Sequence, residues 1–291
     1  MDIELAPYRF DPIRAVWLPY DPQPEAQPQP DLALAAATLP GQLTVVTYNV
    51  WFDPLEQKRR WQALLDDVAR RDADVIAFQE VTRPFLAMLT GQRWVRDGYV
   101  LSDGHGQTFG RYGVVLLIRA SLPIVRLFQH EMPSQMGRTL VVVDLASGFA
   151  VATIHLESLP PSRRYRDIQF AIAVDILDEF EHAILMGDMN FCSSWPKENA
   201  RIPAHYTDLW PALHPDDPGY TEDTRINEML HVYEQKHKQV RYDRVFLHSR
   251  DGSWQPAAIE RLGTRPIADD PLLFPSDHFG LCARLTRMTA G

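Results

Sequence analysis

Cysteine is scarce in this chain, because only Cys192 and Cys282 occur among its 291 residues. Two cysteines cannot build a disulfide framework, and their spacing is not that of a zinc site. We interpret both as small core or loop residues. Nothing in the sequence requires an oxidising compartment.

Long apolar runs are also missing. The chain has no stretch of about 18 apolar residues, so we expect no membrane span. The opening Met1-Asp2-Ile3-Glu4 lacks the basic and apolar regions of a secretory signal. These absences predict a soluble intracellular protein, either cytoplasmic or nuclear, and we expect it to be a monomer.

Basic residues are fewer than acidic ones. The chain has 29 Lys and Arg and 38 Asp and Glu, which gives a formal net charge of −9. This balance argues against a broad nucleic-acid-binding surface. It leaves room for a small basic patch that meets one phosphate, and it supplies the carboxylates that a metal site needs.

Proline is concentrated at the amino terminus, where residues 1–40 hold eight of the 23 prolines. This composition favours an extended, poorly packed arm, followed by a folded domain at 41–291. The arm also contains four aromatic residues: Tyr8, Phe10, Trp17 and Tyr20. Because a free tail rarely carries so many aromatic side chains, we expect the arm to dock on the body or on a protein partner.

Strand patterns dominate the rest of the chain. Residues 43–49 are β-branched and apolar, and an amphipathic helix then extends to about Arg71. A second helix is predicted at 160–181, with its apolar face formed by Tyr165, Ile168, Ile172 and Phe180. Further strands are predicted at 74–79, 113–119, 124–130, 139–145, 149–155, 183–187, 242–248, 257–262 and 281–285. Many strands without regular βαβ alternation predict packed sheets flanked by helices.

Five polar clusters each lie at the end of an apolar predicted strand. They are Asn49, Glu80, His155-Leu156-Glu157-Ser158, Asp188-Met189-Asn190 and Asp277-His278. Each alone has an ordinary explanation, such as an Asx turn or a satisfied core histidine. Their coincidence favours a common site at one sheet edge, and carboxylate and amide oxygens suit a hard cation such as Mg²⁺ or Mn²⁺.

The order of short motifs resembles the endonuclease/exonuclease/phosphatase superfamily. The motifs are Thr-Tyr-Asn (47–49), Gln-Glu-Val (79–81), His-Leu-Glu-Ser (155–158), Gly-Asp-Met-Asn (187–190), Tyr-Asp-Arg (242–244) and Ser-Asp-His-Phe-Gly-Leu (276–281). Within the superfamily the chain is most similar to the 5′-tyrosyl-DNA phosphodiesterase branch. That likeness rests on Arg166-x-x-Gln169, 136–140, Phe274-Pro275 and 220–224, and the whole resemblance spans about 43–285.

The resemblance implies an α+β fold, a four-layer α/β/β/α sandwich of two packed mixed sheets flanked by helices. It makes 41–291 a single catalytic domain that uses Mg²⁺ or Mn²⁺. Glu80 is then the principal metal ligand, with Asn49 and Asp277 on the metal side. Asp188 orients and deprotonates the attacking water if its surroundings raise its pKa, and Asn190 holds the phosphate or the nucleophile.

The remaining roles concern the phosphate. By the same resemblance, His278 donates to a non-bridging oxygen, Asp243 fixes its orientation and His155 adds a second contact. The implied substrate contacts are Ser158, Arg138, Arg166, Tyr112 and Thr221. Basic residues at Lys236, Lys238 and Arg241 are interpreted as solvated charges.

The chain departs from the tyrosyl-DNA branch at Thr221-Glu222-Asp223-Thr224, where the branch has Trp in place of Glu222. An acid there removes a stacking surface and adds repulsion toward phosphate. The leading hypothesis is a phosphodiesterase acting on a protein-linked nucleic-acid 5′ end. The alternatives are a related enzyme for RNA ends, small nucleotides, inositol phosphates or phospholipid head groups, and a non-catalytic phosphate-binding module.

Overall fold

Two large β-sheets form the centre of the molecule in the computed structural model, which describes residues 2–21, 39–235 and 237–288. The strands are β1 (Asp2–Glu4), β2 (Tyr8–Asp11), β3 (Val16–Pro19), β4 (Gln42–Asn49), β5 (Val75–Val81), β6 (Tyr99–Leu101), β7 (Gly113–Arg119), β8 (Ile124–Glu131), β9 (Thr139–Leu145), β10 (Phe149–His155), β11 (His182–Asp188), β12 (Tyr206–Asp208), β13 (Glu222–Asp223), β14 (Gln239–Val240), β15 (Asp243–Ser249), β16 (Trp254–Leu262) and β17 (Gly280–Arg287). The α-helices are α1 (Gln57–Ala69), α2 (Arg83–Gly91), α3 (Arg93–Gly98), α4 (Arg163–Leu177), α5 (Pro196–Asn199), α6 (Leu209–Leu213) and α7 (Glu228–Glu234).

Sheet A has the strand order β1-β8-β9-β10-β11-β15-β12, and sheet B has the order β16-β17-β4-β5-β7-β6-β2-β3. Each sheet is mixed, because β10–β11 and β4–β5 are parallel pairs among antiparallel ones. The short strands β13 and β14 form a separate two-stranded ribbon.

The main hydrophobic core lies between the two sheets. Val45 and Leu116 of sheet B belong to the same buried cluster as Val151 and Ile184 of sheet A. Helices α1 and α2 cover the outer face of sheet B, and α4 covers the outer face of sheet A. The predicted four-layer α/β/β/α sandwich is therefore confirmed.

Strand register brings the predicted site residues to one edge of this sandwich. In sheet A, His155 at the end of β10 pairs with Asp188 at the end of β11, and Asp188 pairs with Asp243 at the start of β15. In sheet B, Asn49 ends β4 beside the end of β5. Parallel strands finish at the same edge, and an antiparallel neighbour starts there.

The amino-terminal segment differs from the predicted extended arm in its first part. Strand β1 pairs with β8 at the edge of sheet A, and β2 and β3 extend sheet B beyond β6. Trp17 is buried on α2, and its indole nitrogen donates to the carbonyl of Thr90. The aromatic residues thus allow residues 2–19 to join the sheets in spite of the prolines. Residues 22–38 lie outside the described part of the chain.

The predicted apolar face of the second helix is correct in part, because Phe180 is buried and Ile172 packs against the core. The structure buries Phe170 and Ala173 together with two polar residues, Arg166 and Gln169. These two side chains donate to backbone carbonyls of neighbouring segments, so they are buried without being apolar. A pattern of hydrophobic residues cannot reveal that kind of burial. Ile168, expected inside, is exposed.

No helix among the described residues is both long enough and apolar enough to cross a bilayer.

Gly187 provides a test of how tightly the strand that carries Asp188 is packed. Its φ is +144°, and a Cβ atom placed there would lie 1.9 Å from the carbonyl oxygen of Ile154 on β10. We expect Gly187→Ala to lower the free energy of unfolding by more than about 2 kcal/mol. Denaturant unfolding followed by circular dichroism measures this loss. Gly41→Ala is the control, since no atom lies within 4 Å of its added Cβ, and equal stability of the two variants would contradict the packing.

Candidate active site

Asn49 joins one carboxylate from each sheet. The register of β5 against β7 shifts between Phe78 and Val81, and Glu80 within this bulge has a left-handed backbone with φ of +60°. Such a bulge re-aims a side chain. The Asn49 Nδ2 group donates to Glu80 Oε1 at 3.3 Å and to Asp188 Oδ2 at 3.0 Å. Glu80 of sheet B is thereby fixed beside Asp188 of sheet A.

Glu80 and Asp277 bring two carboxylates together at this edge. Burial raises the pKa of Asp277 to about 7; His278 opposes the rise, and the charges of Glu222 and Glu80 add to it. Burial also raises the pKa of Glu80. Both shifts arise because negative charges are gathered away from water. A divalent cation relieves that cost, so this oxygen donor set fits Mg²⁺ or Mn²⁺.

Asn49 was expected among the metal ligands, and its orientation here is different. Its Oδ1 accepts from the backbone amide of Trp51 at 3.1 Å, while its amide nitrogen faces the two carboxylates. In this arrangement Asn49 orients Glu80. Its place as a direct ligand stays a prediction.

Asp188 is buried among hydrogen-bond donors. Burial by itself raises its pKa, but the neighbouring His155 and His278 and the bonds from Asn190 and Asn49 lower the pKa overall. The nearest imidazole atom is His155 Nε2, 3.3 Å from Asp188 Oδ2. Asp188 is therefore ionised at neutral pH. The condition that its surroundings raise its pKa is not met.

Asn190 is placed by a tight turn directly after β11. Its φ is +50°, its backbone amide donates to Asp188 Oδ1 at 2.9 Å, and its Nδ2 group donates to the carbonyl of Leu156 at 3.0 Å. The side chain is thereby held beside Asp188 at the sheet edge. This position is compatible with its predicted role in holding the phosphate or the nucleophile.

His278 is held as a cation. Its Nδ1 lies 2.7 Å from Asp243 Oδ2. Burial opposes the charged ring, but Asp243, Asp277 and Glu222 together raise the pKa of His278 well above its ordinary value. Thr221, expected at the substrate, is fully buried behind this pair, and its hydroxyl accepts from the backbone amide of Asp243 at 3.1 Å. Thr221 supports Asp243 from beneath the site.

His155, unlike His278, is neutral. Arg138 Nη1 lies 3.0 Å from His155 Nδ1. Because a guanidinium group only donates, Nδ1 must accept, and the ring proton resides on Nε2, where it points to Asp188. Burial, reinforced by the charge of Arg138, lowers the pKa of His155 well below its ordinary value. His155 is thus a neutral donor, and Arg138 fixes its tautomer.

Glu222 and Lys238 belong to the site, although neither was assigned to it. Glu222 is buried; its Oε2 accepts from Lys238 Nζ at 2.6 Å, and its Oε1 lies 3.4 Å from His278 Nε2. The expected repulsion toward phosphate is therefore offset by two cations. Lys238 is not the solvated loop charge that its sequence context indicated.

Two expected substrate contacts are engaged within the protein. Arg166 is buried, and its Nη1 donates to the carbonyls of Glu157 and Leu159 at 3.0 and 2.9 Å. Ser158 Oγ donates to Met136 Sδ at 3.4 Å. In this structure Arg166 shapes the segment after β10, and a direct contact of either residue with substrate stays a prediction.

Aromatic side chains flank the carboxylates on two sides. The rings of Phe52 and Tyr112 are 4.8 Å apart, and Tyr112 lies 6.3 Å from His155. On the other side Trp195 packs 6.0 Å from Tyr242, whose ring is 6.5 Å from His278. Only Tyr112 was predicted as a substrate contact. Tyr242 belongs to the Tyr-Asp-Arg motif (242–244) and Phe52 follows the Thr-Tyr-Asn motif (47–49), so the motifs are the sequence signal for both residues.

Comparison with known proteins gives a match between residues 46–278 and the model of the Endonuclease/Exonuclease/phosphatase family. The chain belongs to this family. The resemblance inferred from the motifs is thereby confirmed. A comparison with curated protein sequences gives no match.

Solved structures of tyrosyl-DNA phosphodiesterase 2 (TDP2) share the fold. TDP2 of D. rerio, in complex with a single-strand DNA product, has a TM-score of 0.74 at 24% identity and covers 85% of this chain and 100% of its own. TDP2 of C. elegans has a TM-score of 0.72 at 22% identity, with 84% and 75% covered. A mannosyl-6-phosphatase of Bacteroides thetaiotaomicron has a TM-score of 0.62 at 17% identity, with 84% and 99% covered.

The charge on His278 can be tested through Asp243. We expect Asp243→Asn to lower the pKa of His278, because the strongest counter-charge on the ring is lost. Histidine proton resonances followed by NMR against pH measure this shift directly. Any hydrolysis that requires the cation must then fail at lower pH than in the unsubstituted enzyme. Asp175→Asn, on the exposed face of α4, is the control; an unchanged titration of His278 in Asp243→Asn would contradict the assignment.

Proposed function

We propose that this phosphoesterase-family chain is a Mg²⁺- or Mn²⁺-dependent phosphodiesterase in which Asp188 prepares a water for attack on phosphorus. The observation that carries the proposal is the Asn49 amide shared between Glu80 and Asp188 at 3.3 and 3.0 Å. It places Glu80, the proposed metal ligand, next to Asp188, which in this proposal binds the water. The charged His278 then completes an arrangement suited to phosphate ester hydrolysis.

The metal would be held by Glu80 and Asp277, with Asn49 orienting Glu80. When bound, the ion supplies Lewis acidity to a phosphate oxygen. The protein residues do the remaining work of positioning and charge neutralisation, which dominate phosphoryl transfer.

Asp188 acts as an ionised hydrogen-bond acceptor for the attacking water. Its lowered pKa makes it a weak base, so its main contribution is orientation of the water and acceptance of the proton late in the reaction. His155 stabilises the ionised form through its Nε2 proton. For His155 to make its predicted contact with phosphate, its Nε2 hydrogen bond must move from Asp188 to the substrate.

His278 neutralises the phosphate. Its Nδ1 proton is committed to Asp243 at 2.7 Å, which leaves the Nε2 proton for a non-bridging oxygen. Glu222 Oε1 is the acceptor nearest to that proton in the substrate-free protein, at 3.4 Å. Lys238 beside it is a second cation within reach of a bound anion.

A nucleic-acid end attached to a phenolic leaving group fits this site. A tyrosine phenol, with a pKa of about 10, leaves more readily than an alkoxide and depends less on an acid catalyst. Phe52 and Tyr112 are partly buried aromatic rings beside the site, and Arg111 and Arg138 lie 5.4 and 5.3 Å from them. Aromatic rings combined with arginines are typical of nucleic-acid contacts. The fold likeness to a TDP2 that holds a DNA product supports the same substrate class.

Glu222 favours a second candidate, a phosphoesterase for a smaller soluble ester. It is an acid where the tyrosyl-DNA branch has an aromatic residue, and it lies 3.4 Å from His278 Nε2. A mannosyl-6-phosphatase is among the proteins with this fold. In this alternative the same carboxylates and His278 perform the same chemistry on a different leaving group.

The role of Asp188 predicts a large loss of turnover on substitution. Asp188→Asn keeps the shape of the side chain but removes the charge that orients the water, and we expect kcat to fall by about 100-fold or more. Steady-state hydrolysis with Mg²⁺ measures the loss, and circular dichroism confirms folding. Asp175→Asn must retain full activity. A folded Asp188→Asn variant with ordinary turnover would refute the assignment.

A substrate panel separates the candidate functions. The panel contains a 5′-phosphotyrosyl DNA oligonucleotide, an RNA of the same sequence, an inositol phosphate and a sugar phosphate, each with Mg²⁺ and with a chelator. We expect Mg²⁺-dependent release of tyrosine from the DNA to be the fastest reaction. Hydrolysis confined to the soluble esters favours the second candidate. No hydrolysis of any member would identify a non-catalytic module.

A further inference from the structure

A group of histidine and aspartate side chains lies far from the catalytic edge. It comprises Asp178 directly after α4, His205 directly before β12, and His248 near the end of β15. On β15, Asp243 pairs with Asp188 at the catalytic edge, while His248 pairs with Ala183 at the other end of β11. The two positions are five residue steps apart along the strand, a distance of about 17 Å. The group is therefore independent of the proposed function.

The three side chains converge on one point. Each offers one ligand atom, and the three atoms all lie within 4.8 Å of one another. His205 Nε2 is 3.0 Å from Asp178 Oδ1, and the rings of His205 and His248 lie 5.1 Å apart at 78°. Ligand atoms around a tetrahedral Zn²⁺ are separated by about 3.3 Å, given bonds of about 2.0–2.1 Å. Movement of the most separated atoms by about 1.5 Å at most completes such a site.

His248 supplies a second, independent observation. Its side chain is only 6% exposed, and neither ring nitrogen makes a hydrogen bond of good geometry among the described residues. Such a buried imidazole is costly. Burial lowers the pKa of His248, and a backbone contact with His205 partly offsets that shift. The neutral ring therefore has one protonated nitrogen, which can point to that backbone, and one nitrogen with a lone pair, which a metal bond satisfies.

Tyr206 indicates that the position of the His248 ring is fixed. The two rings stack at 5.3 Å and 26°. Burial raises the pKa of the Tyr206 hydroxyl, and the nearby Asp178 adds to the rise. One positive charge lies close by, since Arg250 Nη2 donates to the backbone carbonyl of Asp178. That charge weakens the attraction for a further cation.

We propose that Asp178, His205 and His248 form a second metal site, selective for a borderline divalent transition-metal ion such as Zn²⁺ and completed by water. Two imidazoles favour Zn²⁺ over Mg²⁺, which prefers oxygen ligands. The site ties the carboxyl end of α4 to β12 and β15. It is chemically distinct from the oxygen-rich donor set of Glu80 and Asp277.

The alternative without a metal is a half-exposed ion pair between His205 and Asp178 that lies over the buried His248. The chain contains a matched example, since His130 Nδ1 lies 2.6 Å from Asp2 Oδ1. That pair belongs to no metal-type cluster among the described residues. His130→Ala is therefore the natural control.

The experiment titrates Zn²⁺ into the full-length protein, stripped with a chelator and returned to saturating Mg²⁺ so that the catalytic donors are occupied. Isothermal titration calorimetry gives the number of sites. We expect His205→Ala and His248→Ala each to lose one equivalent of Zn²⁺, and His130→Ala to lose none. Zn²⁺ should also raise the thermal midpoint of the unsubstituted protein and of His130→Ala, but not that of His205→Ala.

His205 is half-exposed, so His205→Ala remains informative even if His248→Ala fails to fold. A full equivalent of Zn²⁺ bound by folded His205→Ala with ordinary affinity would overturn the proposal. Weak binding that all variants share would overturn it as well. Neither readout depends on enzymatic activity.

Discussion

The hydrogen bonds from Asn49 to Glu80 and Asp188 are the interaction on which the rest of the site depends. They join the ends of β4 and β11, one strand from each sheet, and they hold two buried carboxylates side by side. Such a pair is unfavourable without compensation, because each negative charge has lost most of its water. The apolar contacts between the two sheets keep the edge assembled in spite of that cost. Donors from Asn49, Asn190 and His155 stabilise Asp188, while Glu80 and Asp277 are left with raised pKa values that a divalent cation would relieve.

The same edge separates the protonation states of two histidines. His155 is neutral because Arg138 donates to its Nδ1, and His278 is charged because Asp243 accepts from its Nδ1. One ring therefore stabilises the ionised Asp188, and the other is ready to neutralise phosphate. In acid–base sites the surroundings commonly shift the pKa values of two similar groups in opposite directions. Glu222 and Lys238 extend this arrangement, because the acid contacts His278 and is itself balanced by the lysine.

The parts of this structure that follow from local patterns were predictable. Strands β7, β9 and β10 have the predicted limits, and the polar residues at strand ends converge as expected, because register and strand direction force them to one edge. Burial that depends on hydrogen bonds could not be predicted in this way. Arg166 and Thr221 are buried and bond to backbone groups, which the sequence did not indicate, while their contact with substrate stays a prediction. In the sequence Glu222 indicates repulsion toward phosphate. In the structure the pairing of β13 with β14 brings Lys238 beside it, and the lysine balances its charge.

If Glu80 belongs to a carboxylate cluster that binds a divalent cation, its substitution must abolish the stabilisation that Mg²⁺ gives. The thermal midpoints of the unsubstituted protein and of Glu80→Gln, each measured with Mg²⁺ and with a chelator, test this directly. We expect Mg²⁺ to raise the midpoint of the unsubstituted protein. We expect Glu80→Gln to be more stable in chelator, because one buried charge is gone, and to give no response to Mg²⁺ at the same concentration. An equal Mg²⁺ response in both proteins would rule out Glu80 as a metal ligand.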